Sequence, residues 1–422
     1  MSLKIKSLLL PGSKSITNRA FLLAALSEGK SFLKNPLKSD DTFYMAEALK
    51  KLGIEITEKE NGFEIIGKKE IKMLPGNEIE IFIGNAGTTT RFLTPLLSSI
   101  EGGVFILKGE ERMGKRPIED LTEPLIKAGA DITYLEEPGC PPLKIKGKKL
   151  HFKTIELDGS KSSQYISAIL LLLPLINPNG RVLVKNLVSK PYIETTIEVM
   201  KRFGVTLSHR NYEEFLIEKG AYTSSYFEIP ADASSASYFF ASSFLKNRPI
   251  ELNLGKNCLQ GDFLFTEILK EMGASFEMTG EKTVFLSRKP HFKGISTDMN
   301  AIPDTVQTLA VLSLFAGSHT MIKNVANLRI KETDRLSALE NELSKIGAKI
   351  ICGKDFIQII PSPDFLYYPT EVETYHDHRM AMSFALALPR IPGLKIKNPE
   401  VVSKSFPEFW KIWNDFQEDI VN

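Results

Sequence analysis

The chain has 422 residues, of which 43% are hydrophobic and 25% are charged. This composition is typical of a globular protein and excludes an intrinsically disordered chain, and the length predicts two or three domains. Because 53 Lys and Arg face 51 Asp and Glu, the net charge is only +2, so no overall field favours nucleic acid or an anionic membrane as a partner.

Cysteine usage and hydropathy indicate the compartment. The three cysteines, Cys140, Cys258 and Cys352, are far apart, which excludes a disulfide framework and a CxxC metal site. The apolar run near the N-terminus is too short for a secretory signal. The longest apolar run, residues 169–176, contains a proline and is much shorter than the ~20 residues of a membrane span. We therefore expect a soluble, cytoplasmic protein.

Six segments along the chain share one design, a small polar start followed by an apolar run rich in Ala, Leu and Ser. Their first residues are Ser15, Thr88, Ser162, Ser234, Asp304 and Asp377. Successive starts are 73, 74, 72, 70 and 73 residues apart. A helix that is apolar nearly all round is a buried helix, so the pattern predicts six repeat units, each with one buried helix.

A second marker runs in phase with the first. Five charged, amphipathic helical patterns each end at a glycine and are followed by strand-like alternation; the glycines are Gly53, Gly129, Gly204, Gly273 and Gly347. Glycine just past a helix end is the usual left-handed cap. No sixth glycine of this kind is present, and a C-terminal helix over residues 409–416 stands in its place. Each unit therefore combines strands, a buried helix and a half-exposed helix, which is an α/β design.

Two architectures could hold six such units. One is a linear solenoid in which each unit contacts only its neighbours. Units of about 72 residues are longer than the ~20–50 residues usual in solenoids, so we favour two domains of three units each.

Three of the predicted buried helices begin with residues suited to anions. The segments are 11–19, with Lys14 and Arg19, then 84–91, and then 159–164. A helix N-terminus carries free N–H groups and a partial positive charge, and nearby Lys and Arg add to it. A plain Ser N-cap beside a solvated Lys explains one such start, but three in phase favour an anion site.

One nucleotide-binding pattern can be rejected. Residues 109–115 fit GxxxxGK, but Arg116 stands where a phosphate-binding loop has the Ser or Thr that ligates magnesium. Two glutamates in the loop would also repel phosphate. Arg112 and Arg116 remain candidates for a carboxylate or phosphate, because Arg binds both in a bidentate manner.

The second half of the chain adds carboxylates at helix starts. Asp304 is either an N-cap or a partly desolvated general base, and its position alone leaves both open. Residues 327–335 contain five charges, and residues 375–379 open the sixth buried helix with further charges. His376 and His378 lack a third ligand motif for a metal. From the residues alone we predict acid–base group transfer on a multiply anionic small molecule.

At these positions the sequence resembles the 5-enolpyruvylshikimate-3-phosphate synthases, or 3-phosphoshikimate 1-carboxyvinyltransferases, over the whole chain. The motifs that carry the resemblance are Leu10-Pro-Gly-Ser-Lys-Ser-Ile-Thr-Asn-Arg-Ala20, Gly84-Asn-Ala-Gly-Thr88, Arg116-Pro-Ile118, Asp158-Gly-Ser-Lys-Ser-Ser-Gln164, Asp232-Ala-Ser-Ser-Ala-Ser-Tyr238, Asp298-Met-Asn-Ala-Ile-Pro-Asp304, Arg329-Ile-Lys-Glu-Thr-Asp-Arg335, Asp377-His-Arg-Met-Ala-Met382 and Lys404-Ser-Phe406.

The resemblance implies a specific fold. It is an α/β protein of two similar domains, each of three βαβαββ repeat units with buried helices, with the active site in the interdomain cleft. The implied domains are 12–231 and 1–11 plus 232–422, and the N-terminal segment is expected to return to the second domain and complete its sixth unit.

The resemblance also implies a reaction, the transfer of the enolpyruvyl group of phosphoenolpyruvate to the 5-hydroxyl of shikimate 3-phosphate with release of phosphate. Shikimate 3-phosphate is expected to bind Lys14, Ser15, Arg19, Ser162, Ser163, Gln164, Ser189, Asp304, Asn327 and Lys331, with Tyr192 nearby. Phosphoenolpyruvate is expected to bind Lys14, Gly87, Arg116, Gln164, Arg335, Arg379 and Lys404.

The implied catalytic residues are Asp304, Glu332 and Lys14. Asp304 matches the acceptor of the hydroxyl proton, and either Glu332 or Lys14 protonates the methylene carbon. No metal or organic cofactor is implied, and neither nucleic acid nor membrane is an expected partner. We expect a monomer in the cytoplasm.

The departures from the family pattern are few. Thr89, Thr90 and Phe92 stand where Ala-Met-Arg-Pro is common after Gly87, and residues 229–231 replace a common Glu-Gly.

Two alternative functions remain. The sister enzyme that acts on UDP-N-acetylglucosamine has a loop cysteine that residues 109–117 lack, and a non-catalytic binding protein would not need the carboxylates and arginines together.

Overall fold

The structure, a computed structural model, describes residues 5–73 and 78–418, which divide into two compact units. The inserted unit comprises Gly12–Pro230, and the terminal unit comprises the N-terminal segment up to Pro11 together with the chain from Ala231 onward. Residues 1–4 and 419–422, which belong to the predicted second domain, lie outside the described residues. None of the helices in the described ranges has the length and apolar character that a membrane crossing requires.

The elements of the inserted unit follow strand β1 (Lys6–Leu8), which belongs to the terminal unit. They are α1 (Lys14–Ala25), β2 (Gly29–Lys34), α2 (Asp40–Lys51), β3 (Glu55–Lys59), β4 (Gly62–Gly67), β5 (Glu78–Phe82), α3 (Gly87–Ser99), β6 (Val104–Lys108), α4 (Glu119–Lys127), β7 (Asp131–Tyr134), β8 (Leu143–Lys146), β9 (Thr154–Asp158), α5 (Ser163–Ile176), β10 (Arg181–Lys185), α6 (Pro191–Arg202), β11 (Thr206–Arg210), β12 (Glu214–Lys219) and β13 (Tyr226–Glu228).

The terminal unit contains the remaining elements. They are α7 (Ala233–Lys246), β14 (Ile250–Leu252), α8 (Phe265–Glu271), β15 (Ala274–Met278), β16 (Thr283–Arg288), β17 (Ser296–Asp298), α9 (Val306–Leu312), β18 (Thr320–Lys323), α10 (Arg335–Ile346), β19 (Lys349–Cys352), β20 (Ile357–Ile360), β21 (Glu371–Val372), α11 (His378–Phe384), β22 (Lys395–Ile396) and α12 (Phe409–Glu418).

Each sheet of the inserted unit has four strands in one repeated arrangement. In the sheet β5-β6-β8-β7, β5 is parallel to β6, and β8 is antiparallel to both β6 and β7. A helix follows each of the first two strands, α3 after β5 and α4 after β6. The sheets β9-β10-β12-β11 and β13-β2-β4-β3 have the same order. This is the βαβαββ repeat, and the predicted α/β class is confirmed for these three units.

The N-terminal segment does not complete the sixth unit, so that expectation is wrong. Strand β1 pairs in parallel with β14, with Lys6 opposite Ile250 and Leu8 opposite Leu252, and so completes the fourth unit. The cause is that the strand preceding the fourth buried helix in the sequence belongs to another repeat unit. Residues 226–228, which precede the fourth buried helix, are already paired with β2 of the first unit, so the fourth unit takes its first strand from the start of the chain.

The sixth unit differs from the other five. It forms a two-stranded sheet, β21 with β22, and within residues 5–73 and 78–418 it has no antiparallel hairpin. Helix α12 follows instead, at the predicted position, and buries Phe409, Trp413 and Phe416. The rings of Trp413 and Phe416 lie 5.6 and 5.5 Å from that of Phe239 in α7. The helix thereby covers apolar surface of the terminal unit's core.

Helices that the sequence predicted to be buried are buried in the structure. Every residue of α7 from Ala233 to Leu245 is buried, and so is all of α9. The five marker glycines have φ between 82° and 111°, the left-handed region in which a glycine ends a helix at little cost. Gly347, with φ 111°, is the C-cap of α10.

The structure shows a third feature that recurs among the repeat units and was not predicted from the sequence. An asparagine with left-handed φ, between 49° and 59°, follows the second strand of four units, at Asn35, Asn186, Asn324 and Asn398. Its amide can return to the first strand: Nδ2 of Asn324 donates to Oδ2 of Asp298 at 2.6 Å. Asn tolerates this backbone because its short side chain bonds locally. The residue turns the chain from each second strand toward the next helix.

Candidate functional site

Three helices of the inserted unit, α1, α3 and α5, follow β1, β5 and β9, each the first, parallel strand of a sheet. For α1 that sheet belongs to the terminal unit. Ser13 caps α1 by accepting from the backbone N–H of Ile16 at 3.3 Å, and Ser162 caps α5 by accepting from the N–H of Gln164 at 3.2 Å. The cap of α1 is therefore Ser13, and Lys14 and Ser15 lie in its first turn.

Lys14 is held by a carboxylate that the sequence analysis did not single out. Its Nζ lies 3.2 Å from Oδ2 of Asp41, and the two side chains are 14% and 3% exposed. Asp41 belongs to the first turn of α2, which Ser39 and Thr42 cap in a capping box. The pair fixes the ammonium group at the start of α1, and a second acidic residue after an N-cap is a signal that could have identified it.

Arg19 is a buried cation in the second turn of α1. Its guanidinium, 2% exposed, donates to Thr196 Oγ1 and to the carbonyl of Ser15, both at 2.9 Å, and lies 5.1 Å from the ring of Phe92. Within residues 5–73 and 78–418, no carboxylate lies within ion-pairing distance of it. Burial lowers the pKa of Arg19 to about 10. A buried positive charge held only by neutral groups favours an anionic ligand.

Arg116 and Gly87 meet at the start of α3. Nη1 of Arg116 donates to both the carbonyl and Oδ1 of Asn85 at 3.0 Å. A Cβ on Gly87 would lie 2.5 Å from Nη2 of Arg116 and 2.8 Å from Nη1 of Arg91. Glycine at this position therefore lets two guanidinium groups approach the helix start.

The loop after Arg116 is tied to the other helix starts. The carbonyl of Pro117 accepts from Nη2 of Arg91 at 3.0 Å and from the hydroxyl of Tyr165 at 2.7 Å. Nε2 of Gln164 donates to Oγ1 of Thr88 at 3.1 Å. The structure thus brings together Gly87, Arg116 and Gln164, all predicted as site residues, and we call Lys14, Arg19, Arg91, Arg116 and Asp41 the basic cluster.

Two further serines that were predicted as site residues lie at the starts of α5 and α6. Ser163 opens α5 and is 5% exposed, while Ser189 precedes α6, is 3% exposed and has φ 54°. The carbonyl of Tyr192, in the first turn of α6, accepts from Nη2 of Arg19 at 3.4 Å. The segment that carries Ser189 is thereby linked to α1.

The terminal unit contains a second group of charges, centred on Arg335 at the start of α10. Its side chain, 1% exposed, contacts three carboxylates: Nε is 2.7 Å from Oδ2 of Asp377, Nη2 is 2.8 Å from Oε2 of Glu332, and Nη1 is 3.2 Å from Oδ1 of Asp304. Burial lowers the pKa of Arg335, but the three carboxylates outweigh it and raise that pKa above its usual value. Arg335 remains protonated.

Asp304 is not the N-cap of α9, since the cap is Thr305. Its carboxylate instead accepts from Arg335 through Oδ1 and from Nη2 of Arg379 through Oδ2, at 3.2 and 2.8 Å, and the side chain is 23% exposed. Of the two interpretations that the sequence left open, the structure excludes the cap. What remains is a partly exposed carboxylate between two arginines.

Asp377 organises both arginines. It is fully buried, bonds Arg335, and caps α11 by accepting from the backbone N–H of Arg379 at 2.9 Å. Nη1 of Arg379 in turn donates to the hydroxyl of Tyr238 at 3.4 Å, and burial raises the pKa of that hydroxyl to about 12 although Arg379 opposes the shift. We call Asp304, Glu332, Arg335, Asp377 and Arg379 the acid–base cluster.

Three further predicted residues lie in turns of the terminal unit. Asn327, 6% exposed, and Lys331 belong to the segment between β18 and α10 that also carries Glu332. Lys404, 9% exposed, ends a short helical turn, Pro399–Lys404.

The two clusters suit different tasks. The basic cluster contributes four cations and one carboxylate, which favours a ligand with several negative charges. The acid–base cluster contributes two cations and three carboxylates, which permits both anion binding and proton transfer. Each cluster by itself therefore suits an anionic ligand, and the acid–base cluster also suits proton movement.

Comparison with known proteins is consistent with this chemistry. The sequence model of one family, EPSP synthase (3-phosphoshikimate 1-carboxyvinyltransferase), matches residues 5–413. The 3-phosphoshikimate 1-carboxyvinyltransferases of Photobacterium profundum and Vibrio campbellii are each 43% identical to the chain, and each match covers 95% of the chain and 94% of the relative.

Solved structures show the same fold. The EPSP synthase of Acinetobacter baumannii has a TM-score of 0.77 and 26% identity, over 98% of this chain and 96% of that one. The enolpyruvyl transferase NikO of Streptomyces tendae has a TM-score of 0.76 over 98% of this chain and 95% of that one, at 14% identity, and shows the fold alone.

Proposed function

The chain belongs to the EPSP synthase family, and on that premise we propose that the basic cluster and the acid–base cluster act together on one pair of substrates. The reaction is that of a 3-phosphoshikimate 1-carboxyvinyltransferase: the enolpyruvyl group of phosphoenolpyruvate passes to the 5-hydroxyl of shikimate 3-phosphate, and phosphate leaves. It is a step of the shikimate pathway, which makes aromatic amino acids.

Shikimate 3-phosphate is bound in this proposal by the helix starts of the inserted unit. Lys14, Ser15 and Arg19 lie in the first two turns of α1, and Ser162, Ser163, Gln164 and Ser189 supply hydroxyl and amide groups. Asn327 and Lys331 are the contributions of the terminal unit. The observation that carries this assignment is Arg19, a buried guanidinium without a carboxylate in the described ranges. An anionic substrate would supply the missing countercharge.

Phosphoenolpyruvate carries a phosphate and a carboxylate, and arginine binds both groups in a bidentate manner. Arg116 beside Gly87 and Gln164 is one arginine site, and Arg335 with Arg379 is the other. Lys14 and Lys404 add point charges. Because the guanidinium groups are already held by Asn85, Asp304 and Asp377, little reorganisation is needed when substrate binds.

Proton transfer is assigned to carboxylates of the acid–base cluster. In the addition step, Asp304 accepts the proton of the attacking 5-hydroxyl. Each of its oxygens bonds one arginine, which holds the carboxylate in place for this role. Glu332 or Lys14 gives a proton to the methylene carbon. This produces a tetrahedral intermediate, and elimination of phosphate reverses the proton movements.

The proposal also covers the domain boundaries, the oligomeric state, the location and the cofactor requirement. We propose that the predicted domains, 12–231 and 1–11 plus 232–422, correspond to the two compact units, that the enzyme is a monomer, and that it works in the cytoplasm without a metal or organic cofactor. Light scattering after gel filtration at micromolar concentration tests the monomer, which a mass of about twice 47.2 kDa would contradict.

The decisive experiment measures phosphate release from phosphoenolpyruvate. Release that requires shikimate 3-phosphate, and that falls at least ~100-fold in Asp304→Ala, supports both the function and the role of Asp304. Asp415→Ala, which changes an exposed carboxylate of the same unit, is the matched control and should keep full activity. Release only with UDP-N-acetylglucosamine would assign the sister reaction. Substrate binding without turnover in the unmodified protein would favour a non-catalytic binding protein.

A further inference from the structure

The turn directly before Asp377 has an unusual backbone. Tyr375 and His376 have φ values of 54° and 55°, and the N–H of Asp377 donates to the carbonyl of Thr374 at 2.8 Å. A four-residue turn with positive φ at both central positions is of type I′, which favours Gly, Asn and Asp there. Positive φ is uncommon for tyrosine, and for both residues it costs more than it would for glycine, so surrounding contacts help to hold this conformation.

A buried carboxylate supplies those contacts. Glu342, in α10, has no exposed surface, and it accepts from the backbone N–H of Glu373 at 3.0 Å and from the hydroxyl of Tyr375 at 2.7 Å. Lys345 balances its charge at 2.8 Å. Burial raises the pKa of Tyr375, and its bond to Glu342 raises it further, which agrees with a hydroxyl that keeps and donates its proton.

Helix α10 therefore holds the chain on both sides of the turn. Arg335 and Glu342 are seven residues, or about two turns, apart and lie on one face of the helix. Glu342 bonds Glu373, just before the turn, and Tyr375 within it, and Arg335 bonds Asp377 at its end. Asp377 also caps α11, of which Arg379 is the second residue. A shift of the turn would thus move Asp377 and, with it, both arginines.

We propose that Glu342 is a positioning residue for phosphoenolpyruvate. It holds the turn Thr374–Asp377 in a conformation that the turn's own side chains disfavour, and so sets the positions of Arg335 and Arg379. This inference rests on the proposed function, in which those two arginines bind phosphoenolpyruvate. Glu342 itself touches no substrate in this proposal.

The test is steady-state kinetics on Glu342→Gln, varying each substrate in turn. Gln keeps the volume but replaces one acceptor oxygen by a donor, so the turn loses a bond. We expect the KM for phosphoenolpyruvate to rise ~10-fold or more, because small displacements of binding groups are costly, while the KM for shikimate 3-phosphate changes less than ~2-fold. Glu340→Gln, the same change on the same helix, is the matched control.

A second substitution separates positioning from a general structural role. His376→Gly, added to Glu342→Gln, should return the KM for phosphoenolpyruvate to within ~3-fold of the unmodified value, because glycine adopts positive φ without steric cost. A merely structural Glu342 would lower the melting temperature, and glycine at the turn would not correct the KM. An unchanged KM in folded Glu342→Gln, or a raised KM that His376→Gly leaves raised, overturns the proposal.

Two further variants keep the outcome decisive. If Glu342→Gln does not fold, Tyr375→Phe removes one bond of the turn, and the proposal stands or falls on whether its KM for phosphoenolpyruvate rises. Arg379→Gln tests the premise. If it leaves that KM unchanged, the phosphoenolpyruvate site is wrongly assigned and this proposal falls with it. If it raises the KM and Glu342→Gln does not, only the positioning role is overturned.

Discussion

Replacing Arg335 by methionine should lower the free energy of unfolding of the terminal unit by a large amount. Methionine keeps the length of the side chain but removes every contact of the guanidinium. Asp377, which has no exposed surface, then loses both of its bonds to Arg335, at 2.7 and 3.3 Å. Asp304 keeps Arg379 at 2.8 Å. The buried charge of Asp377 is the main cause of the expected loss.

The magnitude follows from burial. Removing one partner of a buried ion pair costs about 3–5 kcal/mol, because the remaining charge stays desolvated. Arg335 is 1% exposed and Asp377 is 0% exposed, so no reduction for solvent screening applies. Whole domains are stable by only about 5–15 kcal/mol. With a urea slope of ~2 kcal/mol/M, the midpoint of unfolding should fall by roughly 1.5–2.5 M.

Tryptophan fluorescence during urea unfolding is a suitable assay. Both tryptophans of the chain, Trp410 and Trp413, lie in α12, so the signal reports the terminal unit. Lys270→Met is the control, because its ion pair with Glu267 is an exposed pair within one helix and should contribute no more than ~0.5 kcal/mol. A midpoint for Arg335→Met within ~0.5 M of the control would refute the reasoning.

Three further substitutions test other parts of the structure. Gly87→Ala should raise the KM for phosphoenolpyruvate ~10-fold or more, since the new methyl would lie 2.5 Å from a nitrogen of Arg116, while unfolding is little changed because that guanidinium can move. Arg19→Met should raise the KM for shikimate 3-phosphate ~10- to 150-fold, which corresponds to one charged hydrogen bond of about 1.5–3 kcal/mol. Asn324→Ala should lower the unfolding free energy of the terminal unit by ~2–3 kcal/mol, because φ is 59° and the bond to Asp298 is lost.

Each of these has a control within the chain. Gly114→Ala adds a methyl that meets only the carbonyl of Pro141 at 3.5 Å, so equal effects at Gly87 and Gly114 would contradict the crowding argument. Arg181→Met removes an exposed cation and should leave both Michaelis constants unchanged. Asn324→Gly keeps the backbone conformation, and a loss as large as that of alanine would show that the left-handed φ is not the cause.

Local signals account for the parts of the fold that were predicted. The buried helices and the five glycine caps repeat at one period and depend on short-range chemistry, so both were visible in the sequence. The origin of first strands was not visible. That β13 serves the first unit and β1 the fourth depends on pairing across long separations, which no local pattern encodes.

The candidate site shows the same division. Lys14, Arg19, Gly87 and Arg116 were predicted from helix starts and motifs, and the structure gives each a defined environment. Their partners were not predicted. Asn85 lies in the turn before α3, in a segment that was noted for its glycines and its arginine. Glu342, which bonds a segment 31 residues further along the chain, has the appearance of an ordinary solvated helix charge. A charge that is buried only after tertiary packing cannot be recognised in a charged, amphipathic stretch.

The pairing of β1 with β14 has a consequence for biosynthesis. These strands are 244 residues apart, so at roughly 5–20 residues per second a ribosome makes the second about 12–50 s after the first. The inserted unit, Gly12–Pro230, is complete before β14 emerges. Throughout that interval β1 lacks its native neighbour, and an unpaired strand edge is prone to bind other chains. Because β1 has only three residues, the edge that it offers is short, which limits such misassembly while the rest of the chain is made.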